Sequence, residues 1–352
     1  MAGREASSHR LPSAMIIDYL HHKPAIGDGA AIAGRGIVIG RSTIGSRPSF
    51  SDYATVRADG ENIRVGANVW FGEHATVHIA DQVLGAVIGD DVTVGRYGLV
   101  HACTLGDGVV VGESSVVMDG TSIGPHALIA ADTVVPPRKT LPGGFVYAGH
   151  PAKPVREIAP DELAQYARSL RSGNPHGDLV SARLPGWAAV VQRLPAAGGP
   201  LHALHGRSPR LARAYVAPTA IVAGDVEIAD DASVFFGCAV IAGDGRIVIG
   251  PRTNVQDNSI LATDRARGDL VLGNGVTIGH NVEMGSGMIG DDALIGMGSR
   301  VGDGVVVPAG WIWAGRPARP FRELKAAERA EFARARDIYV TYSRDYRAAP
   351  AP

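Results

Sequence analysis

Two cysteines, Cys103 and Cys238, are all that a chain of 352 residues contains. That excludes a disulfide framework and fits a reducing compartment; both thiols are expected to be packed core residues. An excess of one charge is missing too: 34 Lys and Arg stand against 35 Asp and Glu, and no basic tract exists, which argues against a nucleic-acid or membrane-surface partner. No apolar run is long enough to span a bilayer, and the opening residues MAGREASSHRLPSAM lack the apolar core of a secretory signal. The expectation is a cytoplasmic protein acting on a small-molecule substrate, with neither nucleic acid nor membrane as partner. A chain of this length suggests two domains.

Glycine, by contrast, is abundant, with 46 residues that lack the every-third-residue period of collagen. They follow aliphatic residues at multiples of about six: Ile88-Gly89, Val94-Gly95, Leu105-Gly106 and Val111-Gly112, then Leu272-Gly273, Ile278-Gly279, Ile289-Gly290 and Ile295-Gly296. A period of six suits neither an amphipathic helix nor an alternating strand. It suits an all-β solenoid of hexapeptide repeats, each one short strand and turn, with the aliphatic residue pointing inward and the small residue at the corner. Three hexapeptides close one triangular coil, so positions 18 apart stack.

The array occurs twice. Gly66, Gly89, Gly95 and Gly106 match Gly250, Gly273, Gly279 and Gly290 at a constant offset of 184, and the closing segments AGHPAKPVREI and AGRPARPFREL lie 166 apart. The second array is therefore short by one coil. A helical pattern follows each closure: PDELAQYARSL, with proline and acids at its start, and LKAAERAEFARARDIYVTYSRDYR, whose charged face reads as the solvated side of a packing helix. The expected division is an N-terminal segment 1–24, a first solenoid with helix 25–171, a connection 172–213 and a second solenoid with terminal helix 214–352. The stretch WAAVVQRL within the connection is expected to form a short helix.

VRADGENIRVGANV, VHIA and VTVGRYGLVHACTLGD in the first half, and AGDGRIVIGPRTNVQDNSIL and VTIGHNVEMGSGMIGD in the second, resemble the γ-class carbonic anhydrases. The resemblance implies left-handed parallel β-helices, an oligomer built through the solenoid faces, and a metal held between subunits by two histidines from one and a third from its neighbour. It also implies a nearby Arg and Asp and an Asn-x-Gln-Asp motif. On this chain Arg57, Asp59, His78 and His101 match in the first half, while the second histidine's slot holds Arg96 and the Asn-x-Gln-Asp slot reads Trp70-Phe71-Gly72-Glu73. In the second half Asn254, Gln256, Asp257 and His280 match; the Arg slot is taken by Ala242 and the other two histidine slots by Ala262 and Gly285.

Each half alone is a broken site, but the losses sort by face of the prism. His78 and His101 fall in stacked positions of one face of the first half, with Arg57 expected one coil earlier. Gln256, Asp257 and His280 fall on a different face of the second. Together they form one set, with His78, His101 and His280 as metal ligands and Arg57, Asp59, Asn254, Gln256 and Asp257 around them, completed either within a chain or between chains. Three neutral imidazoles with an open position describe a catalytic zinc site; Fe²⁺ and Co²⁺ suit the same ligands. The implied activity is CO2 hydration or another hydrolytic or lyase reaction. The loop after His78, IADQVLGAV, has only Asp81 as an acid, which counts against fast CO2 hydration. Two other functions fit the repeat: a hexapeptide acyltransferase, with histidine as base, and a non-catalytic assembly subunit in which His280 is a surface residue. His74 is a further candidate for the surroundings of the site.

Overall fold

The computed structural model describes residues 14–173, 179–182 and 199–348. The expected helix at 187–194 lies outside the described residues. Short parallel strands stack in register into two left-handed β-helices, the fold class the repeat implies. The register shows why the repeat folds this way. Val56 pairs with Val77, Val77 with Val100, Val100 with Val117 and Val117 with Val135, so one inward column is valine in five successive coils, and all five are fully buried. β-branched side chains have few rotamers to lose there and fill a pleated, stacked surface well.

The long strands Thr55–Val65 and Ala239–Ile249 run round a corner and join two faces of each prism into one sheet. On the remaining face the first solenoid has a rung, Leu128–Ile129, between Val110–Val111 and Phe145–Ala148; the second passes from Leu294–Ile295 straight to Trp311–Gly315. That is the missing coil. Upstream, Met15–Ile17 pairs with Ile37–Ile39, and Leu201–His202 and Arg210–Leu211 pair with Ile221–Ile228, so strands outside the repeat proper extend both solenoids. A helix follows each closure: α1, Pro160–Arg171, and α2, Ala326–Ala348.

The halves lie side by side with coils level. His74 meets Asn258, Tyr97 meets Asn281 and Asp132 meets Arg316, each pair 184 residues apart. Positions at the same coil level thus touch one another at the corner the two prisms share. Corner residues adopt the left-handed conformation, which Asn, Asp and Gly tolerate best; Asn68 and Asp91 do so at φ 56° and 58°. Tyr53, His74 and Tyr97 adopt it too, at 61°, 56° and 55°, and their rings stack with centroids 4.6 and 4.7 Å apart. Stacking and the 3.0 Å contact of His74 Nδ1 with Asn258 Oδ1 offset that backbone cost.

Burial lowers the His74 pKa to about 4, outweighing the Asn258 hydrogen bond. A depressed histidine contributes stability that is complete above its unfolded pKa of about 6.5 and lost as pH falls through the folded value. His74→Phe keeps a ring in the stack but orphans Asn258, and is expected to cost about 1–3 kcal/mol at pH 7.5. Denaturant midpoints measured from pH 7.5 to 4 should fall less steeply in the variant than in the parent.

Candidate metal centre

The first half supplies a column of outward side chains. Ile39 pairs with Arg57, the strand register carries Arg57 onto His78, and His78 pairs with His101. Arg57 therefore stands one coil before His78, as its position after Val56 implies. In the second half the corresponding column reads Ile241, Ala262, Gly285. This corrects the alignment of the Arg slot: Ile241, not Ala242, takes it, because Ile241 follows the inward Val240 as Arg57 follows Val56. The second half contributes its other face, where Asn254–Val255 pairs with Thr277–Ile278 and brings Asp257 and His280 towards the first half.

The three histidines meet within one chain. The His78 and His280 rings lie 4.7 Å apart, His101 and His280 5.1 Å, and His78 and His101 5.2 Å. One ligand atom from each falls within 4.8 Å of the others, and all three residues are buried. His280 is fully buried, which removes the reading of it as a surface residue.

Each imidazole has one nitrogen against a carboxylate. His78 Nε2 is 3.1 Å from Asp59 Oδ1, His101 Nδ1 is 2.6 Å from Asp119 Oδ1, and His280 Nδ1 is 3.2 Å from Asp257 Oδ2. For His78 and His101 the carboxylate can accept the ring N–H and leave the other nitrogen a lone pair, whereas His280 Nδ1 lies beside Asp257 without a hydrogen bond. In His78 and His101 those other nitrogens, Nδ1 and Nε2, face each other at 3.2 Å. Two lone pairs at that distance repel unless a proton or a metal cation sits between them. Two nitrogens bound tetrahedrally to one Zn²⁺ at 2.0–2.1 Å lie roughly 3.3 Å apart, so the donor set fits a metal. Burial lowers the pKa of His280 to about 4 and that of His78 as well, with Arg57 and the neighbouring imidazoles adding to the effect. Both are neutral at neutral pH, the form that ligates.

Arg57 ties the halves together. Its fully buried guanidinium contacts Asp59 of its own strand and reaches Asp257 Oδ2 of the other half at 2.9 Å from Nε and 2.8 Å from Nη2. Burial pushes the Asp257 carboxyl up, but Arg57 and His280 more than offset this and hold it below the usual carboxylate range. Asp59 is raised, since burial there is only partly offset by Arg57. The phenylalanine ring of Phe235 lies 4.9 Å from the guanidinium carbon and excludes water.

Asn254 and Gln256 are buried, but their hydrogen bonds run to one another at 3.2 Å and from Asn254 to Thr277, not to the histidines. His74 belongs to the shared corner rather than to the cluster. Cys103 and Cys238 are both buried, as expected of core thiols.

Three neighbours of the centre are not evident from the motifs. Asp119, behind His101, lies 18 residues on, one coil later, and the repeat period points to it. Tyr339 places its hydroxyl 3.4 Å from His280 Nε2, and Tyr346 donates to Asp59 Oδ2 at 3.0 Å. Tyr339, Tyr342 and Tyr346 share one face of α2 by their spacing of three and seven. The helix read as simple packing is the wall of the site: it lies on the second solenoid through Arg252–Asp337 and Arg344–Asp231, and meets the first through Tyr346 and through Asp345, which accepts from Tyr19.

A buried three-histidine cluster at the junction of two hexapeptide-repeat β-helices defines the kind of protein. No family model matches the chain. It is 35% identical over 163 residues to a carbonic anhydrase of Geobacillus kaustophilus, covering 41% of this chain and 88% of that protein. It is 30% identical over 175 residues to the mitochondrial γ carbonic anhydrase 2 of Arabidopsis thaliana, covering 47% of this chain and 63% of the plant protein's length. A putative acetyltransferase structure from Desulfovibrio desulfuricans matches 94% of this chain at TM-score 0.52 and 12% identity, a likeness of fold alone. The chain belongs to the γ-class carbonic anhydrase family of hexapeptide-repeat proteins. Among the described residues no helix is long and apolar enough to cross a membrane.

Removing Arg57 leaves two buried carboxylates without their shared cation. Arg57→Met is expected to cost about 3–5 kcal/mol of unfolding free energy, read from urea denaturation. Arg57→Lys should not restore the loss, because one ammonium cannot fork onto carboxylates on both sides.

Proposed function

We propose that the chain is a γ-carbonic-anhydrase-like metalloenzyme with a single composite centre, completed within one chain by His78 and His101 of the first half and His280 of the second. Zinc is the first candidate, and Fe²⁺ or Co²⁺ suits the same imidazoles. The observation that carries the reading is the convergence of three buried imidazoles, with His78 and His101 each held by a carboxylate and their other nitrogens facing each other at 3.2 Å. A divalent metal held there would supply Lewis acidity and bring the pKa of a water ligand to about 7.

The chain's own residues would then divide the work. Asp59 and Asp119 fix the orientation and tautomer of His78 and His101, and Asp257 places its charge beside His280. Arg57 keeps Asp257 ionised and the two halves in register. Gln256, held by Asn254, is suited to orient the reacting water, and the Tyr339 hydroxyl beside His280 can donate to a bound substrate oxygen. The substrate is a small electrophile, CO2 or the carbonyl of a hydrolysable compound. An acyltransferase needs one of these histidines to act as a mobile base; the three buried, carboxylate-backed rings favour ligation.

Elemental analysis of purified protein should find about one metal per chain, because only one pair of faces carries the full set. His280→Ala should lose the metal and any CO2-hydration or esterase activity as completely as His78→Ala, whereas His150→Ala should keep both. Two metals per chain, or a His280→Ala protein that retains its metal, would exclude a composite centre. Asp119→Asn is expected to weaken metal affinity about 10–100-fold in competition with a chelator, the usual cost of losing a carboxylate behind a ligating histidine.

A further inference from the structure

An open cleft of about 460 Å³ lies between α2 and the lower coils of the first solenoid, next to the metal centre but separated from it by Asp59. Its lining is two-natured. Tyr19, Leu20, Ile338 and Tyr342 make an apolar and aromatic wall, and Leu20 is 65% exposed there. Five carboxylates, Asp59, Glu61, Asp81, Asp337 and Asp345, stand against Arg41, Arg334 and His22. Asp59 is paired with Arg57, Asp337 with Arg252, and Asp345 accepts from Tyr19. Glu61 and Asp81 have no cationic partner among the described residues, and Arg41 and Arg334 have no anionic one, so the lining as a whole carries five carboxylates against two guanidiniums and His22.

A second, independent feature points to a ligand. Tyr342 lines this cleft and is only 4% exposed, yet its hydroxyl has no hydrogen-bond partner among the described residues. A buried hydroxyl left unmade costs about 1–3 kcal/mol. The Tyr19 ring packs edge-on against Tyr342 with centroids 5.9 Å apart and fixes its direction. Burial, with the charges of Asp59 and Asp81, keeps the phenol protonated. The group that completes it comes from the cleft.

We propose that this cleft binds a small organic cation, an ammonium or guanidinium on a short aliphatic chain. Its charge meets Asp81 and Glu61, a polar atom meets the Tyr342 hydroxyl, and its methylenes lie against Leu20 and Ile338. An anion of the bicarbonate kind would find Arg41 and Arg334 but would face five carboxylates on the same wall. Asp59 forms part of the cleft wall and also touches His78 and Arg57, so a ligand here sits one side chain from the metal centre. The inference stands apart from the proposed reaction, since neither the cleft nor Tyr342 needs the metal.

The test is titration calorimetry on the full chain, metal-loaded and chelator-treated, with putrescine as the probe and butanediol and succinate as neutral and anionic controls of similar length. Putrescine is expected to bind one site per chain in both preparations, with the controls at least about tenfold weaker, as loss of a charge-assisted contact implies. Tyr342→Phe and Asp81→Asn should each weaken putrescine about tenfold while melting within a few degrees of the parent. Asp81 lies on a half-buried loop, so its variant decides the matter even if Tyr342→Phe does not fold. Equal affinity for succinate or butanediol, no putrescine heat at millimolar concentration, or unchanged affinity in the folded variants would overturn the proposal.

Discussion

The Arg57 guanidinium, fully buried between Asp59 and Asp257, is the contact on which the arrangement of the two solenoids depends. A charge buried that deeply is tolerated only if it is paired with opposite charge. Arg57 meets that condition only while the halves stay in one register, because one of its carboxylates comes from each. Breaking the register would leave one cation and two anions in a site without water. The same carboxylates reach on to His78 and His280, so the constraint that aligns the solenoids also aims two of the three ligands.

α2 closes this junction from the outside. Tyr339 and Tyr342 set rings beside the guanidinium, and the hydroxyls of Tyr339 and Tyr346 reach His280 and Asp59. α1 follows the first solenoid at the equivalent point but covers a face with no histidine cluster. There Arg96, in the slot of the lost ligand, pairs at 2.5 Å with a fully buried Glu113, which also accepts from the backbone of Ala182. The two helices thus differ in what they meet: α2 walls a polar centre, whereas α1 packs Leu163 and Leu170 against the first solenoid and ties itself to Thr93 through Arg171.

Much of this was legible before any coordinates. The six-residue period dictates the coil, because only an inward aliphatic column with small corner residues repeats that way, and the column from Val56 to Val135 follows directly. The coming together of His78, His101 and His280 was legible as a sorting of losses by face, though not whether one chain or two would supply them. Three things were hidden. The Arg slot of the second half was displaced by one position, since AVIAGDG and TVRADGE can be matched by eye either way until strand register places Ile241 opposite Ala262. The tyrosines of α2 look like packing residues, because sequence spacing gives a helix its face but not the surface it meets. His74 and Tyr97 sit at corners where propensity favours Asn or Gly, and only the ring column explains their presence.

Both sides of the junction belong to one polypeptide, and this changes how the centre responds to its surroundings. Where two separate subunits share a metal, the site is a bimolecular complex whose occupancy falls with protein concentration. Here one continuous chain carries both sides, so the second half meets the first at an effective local concentration that does not depend on how much protein is present. The centre therefore assembles at any cellular abundance. Completeness of the three-histidine cluster is thus a property of the fold rather than of expression level, and a scarce protein carries as complete a cluster as an abundant one.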